Sequence, residues 1–169
     1  TAEHALGLMF AVARKVPMAH RTLMGGVWHK KRFQGNELHG KILGVIGCGR
    51  IGQCLAGKAL GIGMKVVGFD LYQVQDSNVD YLPSIDDVLK TADFVSLHTG
   101  GKDAIITERD LKLMQPTAYL INASRGSNVR AADLCAALKN GTIAGAALAC
   151  FGKDPTREGE AFKRWLTRL

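Results

Sequence analysis

Residues Lys41 to Asp70 read KILGVIGCGRIGQCLAGKALGIGMKVVGFD. The apolar run ILGVI is short and glycine-flanked, as a buried strand is, and KVVGF reads the same way. Between them Gly47, Gly49 and Gly52 spell G-C-G-R-I-G, followed by a helical pattern. A bare G-x-G-x-x-G is weak; placed after a strand and at the start of a helix it has a mechanism. Gly47 permits a tight turn, Gly49 leaves no side chain between backbone and a pyrophosphate, and Gly52 lets the helix pack closely on the strand. Arg50 and Ile51 fall at the helix start, where unpaired N–H groups and the positive end of the helix dipole favour phosphate. Asp70 ends the second strand, 18 residues beyond Gly52. That is close to the spacing of the acid that hydrogen-bonds the adenosine ribose hydroxyls. Leu71 and Tyr72 follow it, with no arginine placed for a 2′-phosphate, so the expected cofactor is NAD and not NADP.

Working outward, strands and single helices alternate. SIDDVLKTA (84–92) reads as a helix with Ser84 as N-cap and Asp87 at the capping-box position, and FVSLH (94–98) as a strand. TERDLKLM (107–114) reads as a helix capped by Thr107 and stopped by Pro116. AYLIN (118–122) is a strand, AADLCAALKNG (131–141) a helix closed by Gly141, and IAGAAL (143–148) a last strand. Strands joined by helices imply βαβ units and a Rossmann-type, doubly wound parallel sheet in three layers. Residues 2–24 read as a helical region with a break or kink at Pro17, and TREGEAFKRWLTRL (156–169) as a short amphipathic helix. The chain is expected to be one nucleotide-binding domain, with the core over 41–150 and no substrate domain.

The 169 residues are 47% hydrophobic and 22% charged, with a net charge of +7. That is the composition of a globular chain, and no run approaches a membrane span. The four cysteines form no CxxC pair and no histidine lies at ligand spacing, so no metal site is expected and the thiols read as buried ones in a reducing cytoplasm. The one dense basic run, His29 to Phe33, reads as a solvated loop, because no nucleic-acid motif accompanies it. A basic surface also suits an anionic cofactor and substrate.

Ligands of such sheets lie at the carboxyl ends of the strands. Arg125 leaves the AYLIN strand beside Gly126, where its guanidinium can bind a carboxylate bidentately or polarise a carbonyl; a surface ion pair is the alternative. His98 reads as a structural residue at a strand end, since no carboxylate near it in sequence is placed to orient it.

TAEHALGLMFAVARK, FQGNELHGKILGVIGCGRIG, LINASRG and AALKNGTIAGAALACF resemble the D-isomer-specific 2-hydroxyacid dehydrogenases, from Thr1 to about Pro155. The resemblance covers that family's nucleotide-binding domain and the helix leading into it. It implies hydride transfer between NAD and a 2-hydroxy or 2-keto acid, with Arg125 binding the substrate's carboxylate and carbonyl. It places Ala123, Ser124, His98 and Thr99 on the cofactor side, and Asp154, before Pro155, where the family's glutamate orients a catalytic histidine. It also implies a homodimer packed through the N-terminal region; burial within the monomer is the alternative.

Departures run in one direction. The catalytic histidine's P-H-x-G motif has no match, Ala149 stands in place of an aspartate, and His98-Thr99-Gly100 lacks the proline of the family's H-x-P. The chain is expected to bind NAD and not to turn over alone. A catalytically degenerate NAD-binding regulatory module is the second reading.

Overall fold

The apolar runs form strands because each is buried on both faces. In β1 (Ile42–Ile46) Leu43 and Val45 enter one core while Ile46 enters the other. The computed structural model describes residues 1–151; Asp154 and the expected 156–169 helix lie outside the described residues. After β1 come α3 (Arg50–Gly61), β2 (Lys65–Phe69), β3 (Asp80–Tyr81), α4 (Ile85–Thr91) and β4 (Phe94–Leu97). Then follow α5 (Glu108–Leu113), β5 (Tyr119–Asn122), α6 (Ala131–Asn140) and β6 (Gly145–Leu148). All pairings are parallel, in the order β3-β2-β1-β4-β5-β6. The order reverses between β1 and β4, and that switch point opens a crevice at the strands' carboxyl ends.

One face of the sheet packs Leu43, Val45, Val66 and Ile121 against Ala5 and Met9 of α1 (Ala2–Ala13) and Leu55, Ala56 and Ala59 of α3. The other packs Ile46, Val95, Leu97 and Leu120 against Val88 and Leu89 of α4, Leu111 of α5 and Leu134 and Ala137 of α6. Two buried faces account for strands that read as continuous apolar runs and not as alternating ones.

The expected Rossmann-type fold is what forms, with local corrections. The N-terminal helical region divides into α1 and α2 (Val16–Met24). The break falls at Lys15, whose φ is +56°, and Pro17 sits in the first turn of α2, where its missing N–H costs nothing. The pattern did not predict β3, two residues with no apolar run. Ser84 does cap α4, its hydroxyl accepting the Asp87 N–H at 3.2 Å, but the Asp87 carboxylate accepts from the Ser84 hydroxyl, 2.6 Å away. The full capping box is on α5, where the Asp110 carboxylate accepts from both the N–H (2.9 Å) and the hydroxyl (2.7 Å) of Thr107. That helix ends at Leu113, short of Pro116, while Gly141 closes α6 with φ +68°. The cysteines need correction too. Only Cys48 is buried; Cys54 lies on the solvent face of α3, and Cys135 and Cys150 are half-buried.

Candidate cofactor crevice at the sheet's switch point

The turn from β1 into α3 is built on three glycines with three different geometries. Gly47 has φ +94°, and a Cβ there would sit 2.7 Å from the carbonyl carbon of His98 and 3.0 Å from Thr99 Cγ2. Gly52 admits no Cβ either: it would lie 2.3 Å from the Gly47 carbonyl oxygen, so only glycine lets α3 rest on the turn. Gly49 differs from both. It is the N-cap of α3 in extended backbone (φ −71°, ψ −164°), and a Cβ there meets nothing within 4 Å, only open space.

No side chain caps α3, and its first turn carries no acid. The first turns of α4, α5 and α6 hold Asp86 and Asp87, Glu108 and Asp110, and Asp133. The N–H groups of Arg50, Ile51 and Gly52 precede the bond from the Gln53 N–H to the Gly49 carbonyl at 2.9 Å. Like α2, α3 therefore begins without a carboxylate, and its N-terminus is the one of the two at the sheet's crevice. Gly49, Arg50, Ile51 and Gly52 line a cavity of about 480 Å³ together with Thr1, Ala2, Cys54 and His98.

Asp70 follows β2 and reaches back to this turn. Its Oδ2 accepts the Cys48 N–H at 2.6 Å and its Oδ1 the Tyr72 N–H at 3.2 Å. Burial, and then the charge of Asp70, push the Cys48 thiol up to about 12, so it stays neutral inside the loop.

Across the crevice His98 shares a 2.9 Å hydrogen bond through Nε2 with Ser96 Oγ, while its Nδ1 is buried without a partner among the described residues. Burial lowers its pKa from 6.5 to about 4. The imidazole is therefore neutral at pH 7, held by a hydroxyl and, among the described residues, not oriented by a carboxylate. The unfolded chain takes up a proton near pH 6.5 that the folded chain refuses until about pH 4, so stability is full above 6.5 and falls between those values. The loss attributable to His98 is expected to be about 2–3 kcal/mol across that window. Urea unfolding of His98→Gln at pH 7.5 and 4.5 is expected to show a smaller acid loss than the parent, and an equal loss would refute this.

Arg125 stands exposed at the carboxyl end of β5 on a loop that is tied down beneath it. Asn122 Nδ2 donates to the Arg125 carbonyl (2.9 Å), and Asn122 Oδ1 accepts from the Ser124 N–H (3.1 Å) and hydroxyl (3.0 Å). Ala123 packs partly against the α1 side of the core. The Arg125 guanidinium pairs with no carboxylate among the described residues.

The profile of the D-isomer specific 2-hydroxyacid dehydrogenase NAD-binding domain matches residues 6–167. The chain belongs to this family. It is similar to D-3-phosphoglycerate dehydrogenase of Methanocaldococcus jannaschii, 41% identical over 164 residues covering 93% of this chain and 31% of that protein. It is similar also to glyoxylate reductase of Thermococcus litoralis, 40% identical over 177 residues, 96% of this chain and 53% of the relative. Among solved structures, the NAD-complexed D-isomer specific 2-hydroxyacid dehydrogenase of Lactobacillus delbrueckii ssp. bulgaricus superposes with a TM-score of 0.83 at 30% identity. That match covers 96% of this chain and 54% of the other. The chain thus spans about a third to about half the length of these relatives.

A NAD-binding domain needs a cradle for a pyrophosphate, and the open Gly49 over the uncapped α3 supplies one that a Cβ would fill. The structure brings Gly47, Gly49, Arg50, Ile51, Gly52, His98 and Thr99 together. Ser124 joins them through Asn128, while Asp70 is tied to the loop through the Cys48 N–H. The sequence did not single out Asn122 or Asn128, because asparagine near a turn is ordinary and burial has no local signature. The backbone role of Asp70 was equally hidden. Among the described residues there is no cluster of metal-ligand side chains, and no helix is long and apolar enough to cross a membrane.

Proposed function

We propose that this chain is the cofactor-holding half of an enzyme that exchanges hydride between NAD and a small 2-hydroxy acid, of the phosphoglycerate or glyoxylate type. The observation that carries the reading is the acid-free N-terminus of α3 beneath an open Gly49. The turn Gly47, Gly49, Arg50, Ile51 and Gly52 holds the pyrophosphate. Asp70 retains lone pairs for the ribose hydroxyls, and its charge at a strand end disfavours the 2′-phosphate of NADP. His98, Thr99, Ala123 and Ser124 line the nicotinamide side. Bound NAD supplies the hydride acceptor. Arg125 receives the substrate's carboxylate through its planar fork and polarises the carbonyl, while Asp154 orients the proton-transferring group.

The test uses the side-chain Nε–H NMR signal of Arg125 in NADH-saturated protein. Adding glyoxylate is expected to shift it, and Arg125→Met is expected to lose keto-acid binding while keeping NADH. An unmoved signal at millimolar glyoxylate would overturn the substrate assignment.

A second reading, a catalytically degenerate NAD-binding module, has one observation in its favour. Exposed Ala149 offers no polar side-chain group at the end of β6, only a backbone N–H to the Asn122 carbonyl at 2.9 Å. Retained NADH binding with no response of Arg125 would favour it.

The domain also displays a face suited to a second copy. Leu23, Met24, Val27 and Trp28 are 53%, 74%, 45% and 73% exposed around α2, which supports a homodimer packed there. Sedimentation that finds only monomer at working concentration would contradict it. The exposed Cys54 thiol suits a reducing, cytoplasmic setting.

A further inference from the structure

We propose that Asn128 is a positioning residue that clamps the turn leaving β4 to the loop bearing Arg125, so that the two sides of the crevice move together. The inference rests on the NAD reading only for its cofactor-dependent readouts.

Asn128 is polar and fully buried, with 0% exposure. Its Nδ2 donates to two elements at once: the Thr99 carbonyl at 3.1 Å and Ser124 Oγ at 2.8 Å. Its backbone carbonyl accepts the N–H groups of Ile105 and Ile106, both at 2.9 Å, which anchors the far end of the same turn. Ser127 Oγ adds a longer bond, 3.5 Å, to the Gly101 carbonyl.

The links extend in both directions. Thr99 and His98 lie against Gly47, where an added Cβ would meet both. Ser124 donates to Asn122, and Asn122 to the Arg125 carbonyl. One side chain therefore joins the glycine turn, through the β4 turn, to the backbone that presents Arg125.

The turn needs such a clamp because Thr99 is followed by Gly100 and Gly101. A Cβ on either glycine would meet nothing within 4 Å, so neighbouring atoms do not confine them sterically, and glycine has the widest backbone freedom. Removing the Asn128 amide also leaves the Thr99 carbonyl without that donor in a part-buried setting.

Hydrogen–deuterium exchange and NADH titration of the whole chain test this with four proteins: the parent, Asn128→Ala, Gly100→Pro and the double variant. Without cofactor, Asn128→Ala is expected to speed exchange over both 99–101 and 122–126. Unchanged exchange in either segment overturns the clamp whether or not NADH binds. With cofactor, the parent is expected to show NADH-induced protection over 122–126, and Asn128→Ala to lose it while binding NADH about tenfold more weakly. Proline at position 100 meets open space at its Cβ, and the Gly100 N–H donates to no described acceptor. It fixes the turn without the amide. The double variant is therefore expected to regain affinity to within about threefold of the parent, yet not the protection over 122–126, because the bridge to Ser124 is still missing. A loss of general stability would not separate the two readouts in that way. Should Asn128→Ala fail to fold, Ser124→Ala cuts the bridge on the Arg125 side alone and is expected to abolish the same protection. Parent-like protection in either variant, or no rescue by Gly100→Pro, overturns the proposal. Failure of the parent to bind NADH overturns the NAD reading instead.

Discussion

Gly49→Asp is expected to weaken NADH binding roughly a hundredfold while leaving the fold as stable as before or slightly more so. The position is the N-cap of α3, in extended backbone that any residue adopts, and its Cβ direction is open. Aspartate is among the preferred N-cap residues, and its carboxylate meets both the unpartnered N–H groups and the positive end of the helix dipole. Those are the groups proposed to receive the pyrophosphate. A carboxylate at about 5 Å from a phosphate charge, at an effective dielectric near 20, costs about 3 kcal/mol, or roughly a hundredfold in affinity. Thermal unfolding and NADH titration of one sample read both halves of the expectation. A lowered Tm with binding intact would mean that Gly49 serves the fold and not a ligand.

Gly52→Ala reverses that pattern. The new methyl carbon would lie 2.3 Å from the Gly47 carbonyl oxygen and 3.0 Å from Val45 Cγ1. The first of these neighbours is backbone and cannot rotate aside, so either α3 lifts from the sheet or the Gly47 turn opens. Overpacking of this kind costs about 3 kcal/mol, and for a domain of this size that is a fall of roughly 6–12 °C in Tm. Gly57→Ala, on the exposed side of the same helix with only the Asn78 Nδ2 at 3.6 Å, is the control. It is expected to raise stability by about 0.5–1 kcal/mol through helix propensity. Equal effects of the two substitutions would show that the close approach at Gly52 has no energetic weight.

How much of this was legible in the sequence depends on the distance over which each feature is encoded. The strands β1, β2, β4, β5 and β6 were readable because burial on two faces leaves a local apolar signature. The glycine turn was readable because its spacing is tied to a strand before it and a helix after it. The two-residue β3 was not, since Asp80 and Tyr81 pair with Val67 and Gly68 by register alone. The capping box on α5 was as legible as the Ser84–Asp87 pair, since Thr107 and Asp110 stand at the same spacing, but only Thr107 was read as the cap. The Asp70 to Cys48 bond joins residues 22 apart, and the Asn128 to Thr99 bond residues 29 apart. No local pattern carries either contact; both arise only when the sheet brings strand ends side by side. The candidate site therefore divides in two, with the glycine turn visible in sequence order and the ties of Asp70 and Asn128 to other strand ends visible only in space.

The claim that the crevice at the N-terminus of α3 holds NAD is tested most directly by calorimetric titration of the chain with NADH and, separately, with NADPH. The account predicts one saturable NADH site per chain and binding of NADPH at least about tenfold weaker, since a carboxylate at the end of β2 would repel an added 2′-phosphate. No saturable binding at millimolar NADH, or a preference for NADPH, would contradict it.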